Sequence, residues 1–266
     1  MTAAILTERL VKTYRSRNED IEAVRGVDLE VAPGEVFGFL GPNGAGKSTT
    51  VRMLTTLMTI TAGSARVAGY DVATHPHDTR RRIGVALQEA GLDARQTGRE
   101  ILVLQARLFG LNRTDAAERA RELLDWVDLS DAADRAVKGY SGGMKRRLDL
   151  ASALVNEPDI LFLDEPTTGL DPASRLTVWD EVRRINGRGT TVFLTTQYLE
   201  EADQLCDRIA IIDGGLIVRQ GTPAELKGEL QRRLATEIEP TLDDVFLDAT
   251  GRSRHRGAGE VQEVLA

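Results

Sequence analysis

"GPNGAGKST", residues 41–49, is the stretch that decides how this chain is read. Gly41, Gly46, Lys47 and Ser48 satisfy the pattern G-x-x-x-x-G-K-[ST]. The apolar run "EVFGFLG" leads into it, and "KSTTVRMLTTLM" leaves it with helical period, Val51, Leu54 and Met58 falling on one face. A strand, a glycine loop and a helix start in that order predict a phosphate cradle. Glycines let backbone N–H groups converge on phosphate oxygens, and the helix N-terminus adds a favourable dipole. Gly41, Pro42, Asn43, Gly44, Ala45, Gly46, Lys47, Ser48 and Thr49 are therefore the candidate nucleotide-binding residues. Lys47 can span the β- and γ-phosphates of ATP, and Ser48 can offer its hydroxyl to Mg²⁺.

Outward from that loop the chain alternates strands with helices. "AVRGVDLEV" alternates and ends at Pro33-Gly34, and "RIGVALQ" is a short apolar strand ending at Gln88. "GREILVLQARLFG" and "TDAAERARELLDWVDL" are amphipathic helices, the second with Thr114 as its expected N-cap, and no convincing strand falls within residues 97–157. Further on, "DILFLDEP" and "TTVFLTT" read as buried strands, "DPASRLTVWDEVRRI" as a helix capped by Asp171, and "YLEEADQL" as another helix. "RIAIIDGGLIVRQG" is a hairpin about Gly214-Gly215, and Thr222 with Glu225 makes a capping box. The pattern predicts an α/β fold with a mostly parallel sheet covered on both faces. "GRSRHRGAGE" is polar and glycine-rich, which predicts a mobile tail over residues 251–266.

"ILFLDEP" sets Asp164 and Glu165 at the C-terminal end of a buried strand, the edge where parallel sheets hold ligands. Adjacent strand residues point to opposite sides, so the pair is expected to divide its roles. Asp164 would sit by the Mg²⁺ shell, and Glu165 would face the γ-phosphate and orient or deprotonate the attacking water. In isolation, an Asp-Glu pair at a strand end is also what a solvated turn looks like.

A second glycine loop, "YSGGMKRR" at residues 140–147, opens a helix with Ser141 as its natural N-cap. A serine hydroxyl and the bare amides of Gly142 and Gly143 at a helix start make a second anion site. One nucleotide already has its phosphates cradled by the first loop, so the economical reading assigns the second to another subunit's ATP. A plain helix cap with no ligand stays open beside it.

Composition narrows the field. The chain has 266 residues, a formal net charge of −7 and 5% aromatic residues, which argues against broad contact with nucleic acid. Cys206 is the single cysteine, so no internal disulfide forms. No apolar run reaches the length of a membrane span and "MTAAILTERLVK" lacks a secretion-type core, so the chain is expected neither to cross a membrane nor to enter the export route by itself.

Taken together, the phosphate loop, "YSGGM", "ILFLDEP" and "GLDP" occur in the order and spacing of the nucleotide-binding subunits of ABC transporters, which nearly the whole chain through about residue 250 resembles. The resemblance implies a RecA-like P-loop NTPase core with a parallel sheet, an N-terminal antiparallel β subdomain and an α-helical signature subdomain. Its bounds would be 1–88 and 158–221 for the core, 89–157 for the helical part and 222–250 for a C-terminal helical segment. It implies that Tyr14 stacks on adenine, that Gln88 senses Mg²⁺ and a membrane partner, and that Asp171 belongs to the D-loop. By themselves, Tyr14 reads as packing and Gln88 as a solvated strand end. Two departures stand out: Tyr140 and Met144 replace the usual Leu and Gln of the signature, and Gln197 in "LTTQYLEEAD" stands where most members have a switch histidine. Glutamine hydrogen-bonds a γ-phosphate but carries no proton charge, which leaves Glu165 as the chief base.

"TTQYLEEADQL" with "EPTLDDVFLDATG" looks closest to the daunorubicin/doxorubicin-resistance branch. That implies a homodimer sandwiching two ATP at the cytoplasmic face of the membrane, with a separate multi-span permease that binds the small-molecule substrate. Export of a lipid or polysaccharide, or a non-transport ABC ATPase, are the alternatives. Chromosome-associated relatives need a long coiled coil for which this chain has no room, and a small-molecule kinase would have no use for Ser141-Gly142-Gly143 or "GLDP".

Overall fold

A computed structural model describes residues 3–15, 19–88 and 91–252. All but Gly251 and Arg252 of the expected tail lie outside the described residues. Four strands build an antiparallel sheet in the order β2-β1-β4-β5: β1 (Ile5–Tyr14), β2 (Ile21–Val31), β4 (Ala62–Val67) and β5 (Tyr70–Asp71). A second sheet runs β10-β9-β3-β8-β7-β6. Its strands are β3 (Val36–Leu40), β6 (Ile83–Ala86), β7 (Ile160–Asp164), β8 (Thr191–Thr196), β9 (Arg208–Asp213) and β10 (Leu216–Gly221). All its pairings are parallel except the β9–β10 hairpin.

The helices are α1 (Lys47–Leu54), α2 (Pro76–Arg82), α3 (Gly98–Leu108), α4 (Arg113–Trp126), α5 (Gly142–Ala153), α6 (Pro172–Asn186), α7 (Leu199–Leu205), α8 (Pro223–Leu234) and α9 (Leu242–Ala249). Between β6 and β7 the described residues form no strand, only α3 to α5, two short 3₁₀ turns and an isolated bridge from Thr97 to Ala136.

The parallel sheet is buried on both faces, and period-two alternation divides its residues between two cores. Phe37, Phe39, Phe162 and Phe193 face the antiparallel sheet and α1. Phe193 sits at the centre of this group, with ring centroids 5.6, 5.6 and 5.5 Å from the other three. Leu40, Leu161, Leu163, Val192 and Leu194 face the other way, against the helices that follow. Truncating Phe193 to alanine would cost about 3–5 kcal/mol, because the ring fills the middle of a close-packed layer. That rigid slab is what fixes the strand ends carrying the polar residues described below.

Local capping explains most helix boundaries. Asp171 Oδ1 accepts from Ser174 N at 3.0 Å, and the Thr222–Glu225 capping box is present. Thr114 does not cap α4; Asn112 does, its Oδ1 accepting from Thr114 N and Asp115 N at 2.9 and 3.0 Å. The Asn112 carboxamide oxygen accepts from two amides at once, and Asn is at least as good a cap as Thr. The first helix stops at Leu54, so Met58 lies beyond it. Gln88 is two residues past the end of β6, not its last residue.

Candidate functional site

The phosphate loop joins β3 to α1 and is shaped by contacts that only glycine tolerates. Gly46 has φ +109, and a Cβ there would lie 2.5 Å from the Ala23 carbonyl oxygen. A Cβ on Gly41 would lie 2.3 Å from the Ile212 carbonyl oxygen. The loop is thus wedged between β2 and β9, with Ala45 buried and Asn43 and Gly44 exposed. Lys47 is buried; its Nζ donates to the Gly41 carbonyl at 2.7 Å and the Pro42 carbonyl at 3.3 Å. The same Nζ lies 3.7 Å from Glu165 Oε1. Burial pushes the Lys47 ammonium below its ordinary pKa, while the nearby Glu165 and Asp164 carboxylates pull it back up.

Both carboxylates face this loop. Asp164 Oδ1 accepts from Ser48 Oγ at 3.3 Å and from Thr195 Oγ1 at 2.5 Å. Glu165 accepts from Gln88 Nε2 at 3.2 Å and Thr168 Oγ1 at 3.3 Å. Strand alternation would have turned the two acids to opposite sides. It does not apply, because β7 ends at Asp164 and Glu165 has φ 49, a left-handed conformation outside the strand. The Glu165 amide donates to both the carbonyl and the hydroxyl oxygen of Thr195, at 3.1 Å each, which holds that turn.

Two oxygen donors are grouped here, the Ser48 hydroxyl and the Asp164 carboxylate, with the Gln88 amide held on Glu165 beside them. Among the described residues no cluster of three or more His, Cys, Asp or Glu is arranged to hold a metal alone. One carboxylate and a hydroxyl beside a phosphate cradle fit Mg²⁺, which takes few protein ligands and completes its shell with phosphate and water.

The remaining candidates stand around this centre at different distances from it. Tyr14, 37% exposed as a residue, ends β1 with its hydroxyl 3.2 Å from Thr49 Oγ1, so it borders the loop. Gln197 is exposed just past β8 and makes no hydrogen bond among the described residues. Ser141 caps α5, its Oγ accepting from Met144 N at 3.2 Å, and Gly142 is exposed. No hydrogen bond among the described residues joins residues 140–144 to residues 41–49.

Three residues of the site were not singled out from sequence: Thr195, Arg146 and Thr168, the last of which donates to Glu165. Thr195 is the hydroxyl that ties Asp164 to β8; a threonine pair ending an apolar strand was the available signal. Arg146 is buried on α5 and reaches back to Pro166, two residues past β7. Nothing in "MKRR" separates it from its exposed neighbour Lys145. Beside it, burial raises the Asp149 carboxyl to about 6 against the pull of Arg146.

A pair of larger cavities among the described residues lies outside the phosphate loop. One, about 680 Å³, is lined by Leu57, Leu87, Leu92, Leu104, Phe109 and Asp149. The other, about 840 Å³, has Trp126, Arg184 and Arg188 in its wall and no residue of the phosphate loop.

A buried lysine in a glycine loop, a strand-end acid pair and a second glycine loop on a separate helix define a P-loop ATPase with an ABC signature. The family model described as "ABC transporter" matches residues 24–168, and this chain belongs to that family as an ATP-binding, ATP-hydrolysing cassette. It is 57% identical over 229 residues to the daunorubicin/doxorubicin resistance ATP-binding protein DrrA of Streptomyces peucetius, covering 86% of this chain and 68% of that protein. It is 41% identical over 244 residues to the Nod factor export ATP-binding protein I of Paraburkholderia xenovorans, covering 92% of this chain and 77% of that one. Among solved structures, a dimeric post-hydrolysis state of the ATP-binding cassette MJ0796 bound to ADP and Pi superposes with TM-score 0.76 at 26% identity, over 82% of this chain and 98% of that chain. No helix among the described residues is long and apolar enough to cross a membrane.

Proposed function

We propose that this cassette powers export of a hydrophobic, drug- or antibiotic-like compound through a separate multi-span permease, working as a homodimer peripheral to the cytoplasmic face of the membrane. The convergence of Lys47, Ser48, Gln88, Asp164 and Glu165 on one loop carries the reading. The names of the resistance and Nod factor export relatives support export, and the dimeric MJ0796 structures support the two-subunit arrangement.

In this reading the amides of residues 41–49 and the Lys47 ammonium hold the ATP phosphates, with Tyr14 against the adenine. Ser48, Asp164 and the Gln88 carbonyl would hold Mg²⁺, which when bound neutralises phosphate charge. Glu165 accepts the proton of the attacking water, and the Gln88 and Thr168 bonds aim its carboxylate. Gln197 donates to the γ-phosphate. Ser141, Gly142 and Gly143 close over the partner subunit's γ-phosphate, so loss of that phosphate removes the charge holding the interface shut.

Residues 89–157 act as the helical subdomain that meets the permease. The 680 Å³ groove supports this, with Leu104 and Leu57 half-exposed at 46% and 57% in its wall. Glu89 and Ala90, the first two residues of that range, lie outside the described residues.

The test is reconstitution of the purified chain with the multi-span protein encoded beside it in vesicles loaded with a fluorescent anthracycline. ATP-dependent loss of dye that needs both proteins is expected. ATPase activity without any dye movement, but with lipid or saccharide movement, would reassign the cargo.

A further inference from the structure

Glu165 occupies a left-handed backbone conformation and is followed by Pro166, a neighbour that restricts the residue before it. A non-glycine residue holds such a conformation only where its surroundings over-determine it. Thr195 supplies one restraint through the Glu165 amide. The other comes from α5, across the fold.

The Arg146 guanidinium spreads over three backbone carbonyls. Its Nε donates to the Pro166 carbonyl at 2.8 Å, and its Nη1 donates to the Leu87 carbonyl at 2.8 Å. Its Nη2 lies 3.5 Å from the Asp164 carbonyl oxygen, the limit of a hydrogen bond. Pro166 and Asp164 flank Glu165, and Leu87 precedes Gln88. Asp149, one turn along α5, closes the remaining side with Oδ2 2.9 Å from Nη1. Both side chains are about nine-tenths buried. Asp149 is also in the wall of the 680 Å³ groove, so the pair connects that groove to the end of β7.

We propose that Arg146 is the positioning residue that holds Glu165 and Gln88 in register, its guanidinium clamping the carbonyls around both while Asp149 neutralises it from the groove side. This rests on reading Glu165 as the group that activates water. The planar fork is what the task requires, because it serves carbonyls in different directions from one rigid plane. Lysine carries its three donors on one nitrogen at the end of a flexible stem and cannot span these carbonyls together. The hydrogen-bond partners of the Arg146 guanidinium lie outside residues 41–49, so its loss should misalign the reaction without removing a contact of the phosphate loop.

The experiment uses the full chain with Arg146→Lys, measuring kcat and KM for ATP, equilibrium binding of a non-hydrolysable ATP analogue, and thermal melting. The expected result is a kcat lowered about tenfold or more, the size of effect a small misplacement of a catalytic group produces. Analogue affinity is expected within about threefold of wild type, since the phosphate loop is unchanged. Wild-type kcat, or a kcat that falls only in step with affinity, overturns the proposal. Should the lysine variant fail to fold, Asp149→Asn keeps the volume and removes the counter-charge. A kcat lowered at constant analogue affinity supports the clamp, and an unchanged kcat overturns it. Glu165→Gln is run in parallel: normal turnover there sinks the reading of Glu165, whereas a stalled Glu165→Gln beside a normal Arg146→Lys sinks only the clamp.

Discussion

The chain carries two glycine loops that begin helices, and they are built to opposite standards. The loop at 41–49 is enclosed: Gly41 and Gly46 lie against the carbonyls of Ile212 and Ala23, and Lys47 is buried beside two acids. The loop at 141–143 is open. A Cβ on Gly142 would find only Leu170 at 3.9 Å, and one on Gly143 would meet the tip of the Ser174 side chain at 2.8 Å. The first loop has cation, carboxylates and cradle in one place. The second has a hydroxyl and amides with no cationic or acidic side chain of the described residues bonded to residues 141–143. A complete phosphate site beside an incomplete one is the pattern expected if the second is finished by another copy of the chain. Under that reading the two loops should fail in different ways, one through chemistry or binding and the other through turnover alone.

The largest effect belongs to the enclosed site. Glu165→Gln preserves shape and hydrogen bonding but removes the base, so turnover should fall about a thousandfold. ATP binding should survive, and a dimer should accumulate with ATP by light scattering. A variant that hydrolyses ATP at the wild-type rate would take Glu165 out of the chemistry. Next comes the open loop. Ser141→Arg should lower turnover about a hundredfold by obstructing the amides that meet a phosphate, with single-chain nucleotide binding unchanged. If binding falls equally, the two loops serve the same nucleotide and the contrast between them collapses.

Much of the enclosed site was legible in the sequence, because its residues are contiguous and their types are dictated by phosphate chemistry. The parallel sheet and the hairpin were legible from apolar period for the same reason: local pattern decides them. What escaped depended on distance along the chain or on one backbone angle. The relation between Asp164 and Glu165 turned on where β7 ends, since one residue of extra strand would have sent the acids apart. Arg146 reaches Pro166 and Leu87 only after α5 has packed on the sheet, and no window around "MKRR" contains that fact. Asn112 displaced Thr114 as a cap because both residue types suit a helix start, and α4 already begins at Arg113, one residue before Thr114.

A smaller effect would sharpen the enclosed site's outline. Tyr14 borders the loop through Thr49, with Lys12 Nζ 5.6 Å from its ring centroid. If its exposed face takes the adenine, Tyr14→Leu should raise KM for ATP about tenfold with kcat nearly unchanged, the loss expected for one base–aromatic stack. A lowered melting temperature with an unmoved KM would make Tyr14 a packing residue of β1.

The smallest change is expected at Gln197, which sits between the two standards of construction. Its strand end is fixed: Thr196 Oγ1 accepts from Tyr198 N at 2.9 Å, and the Arg175 guanidinium lies 4.6 Å from the Tyr198 ring centroid. The side chain itself is exposed and makes no hydrogen bond among the described residues, so an imidazole can replace the amide without displacing a partner. Histidine and glutamine both donate to a phosphate oxygen, but only histidine titrates near neutrality. Gln197→His should therefore keep kcat within about threefold and gain an inflection near pH 6.5 that the wild type lacks. That outcome would show that the position needs a donor and that Glu165 acts without a second titrating group there. An inactive variant that still binds ATP would mean instead that the space around residue 197 has been fitted to glutamine, and that this end of the site is as closely built as the phosphate loop.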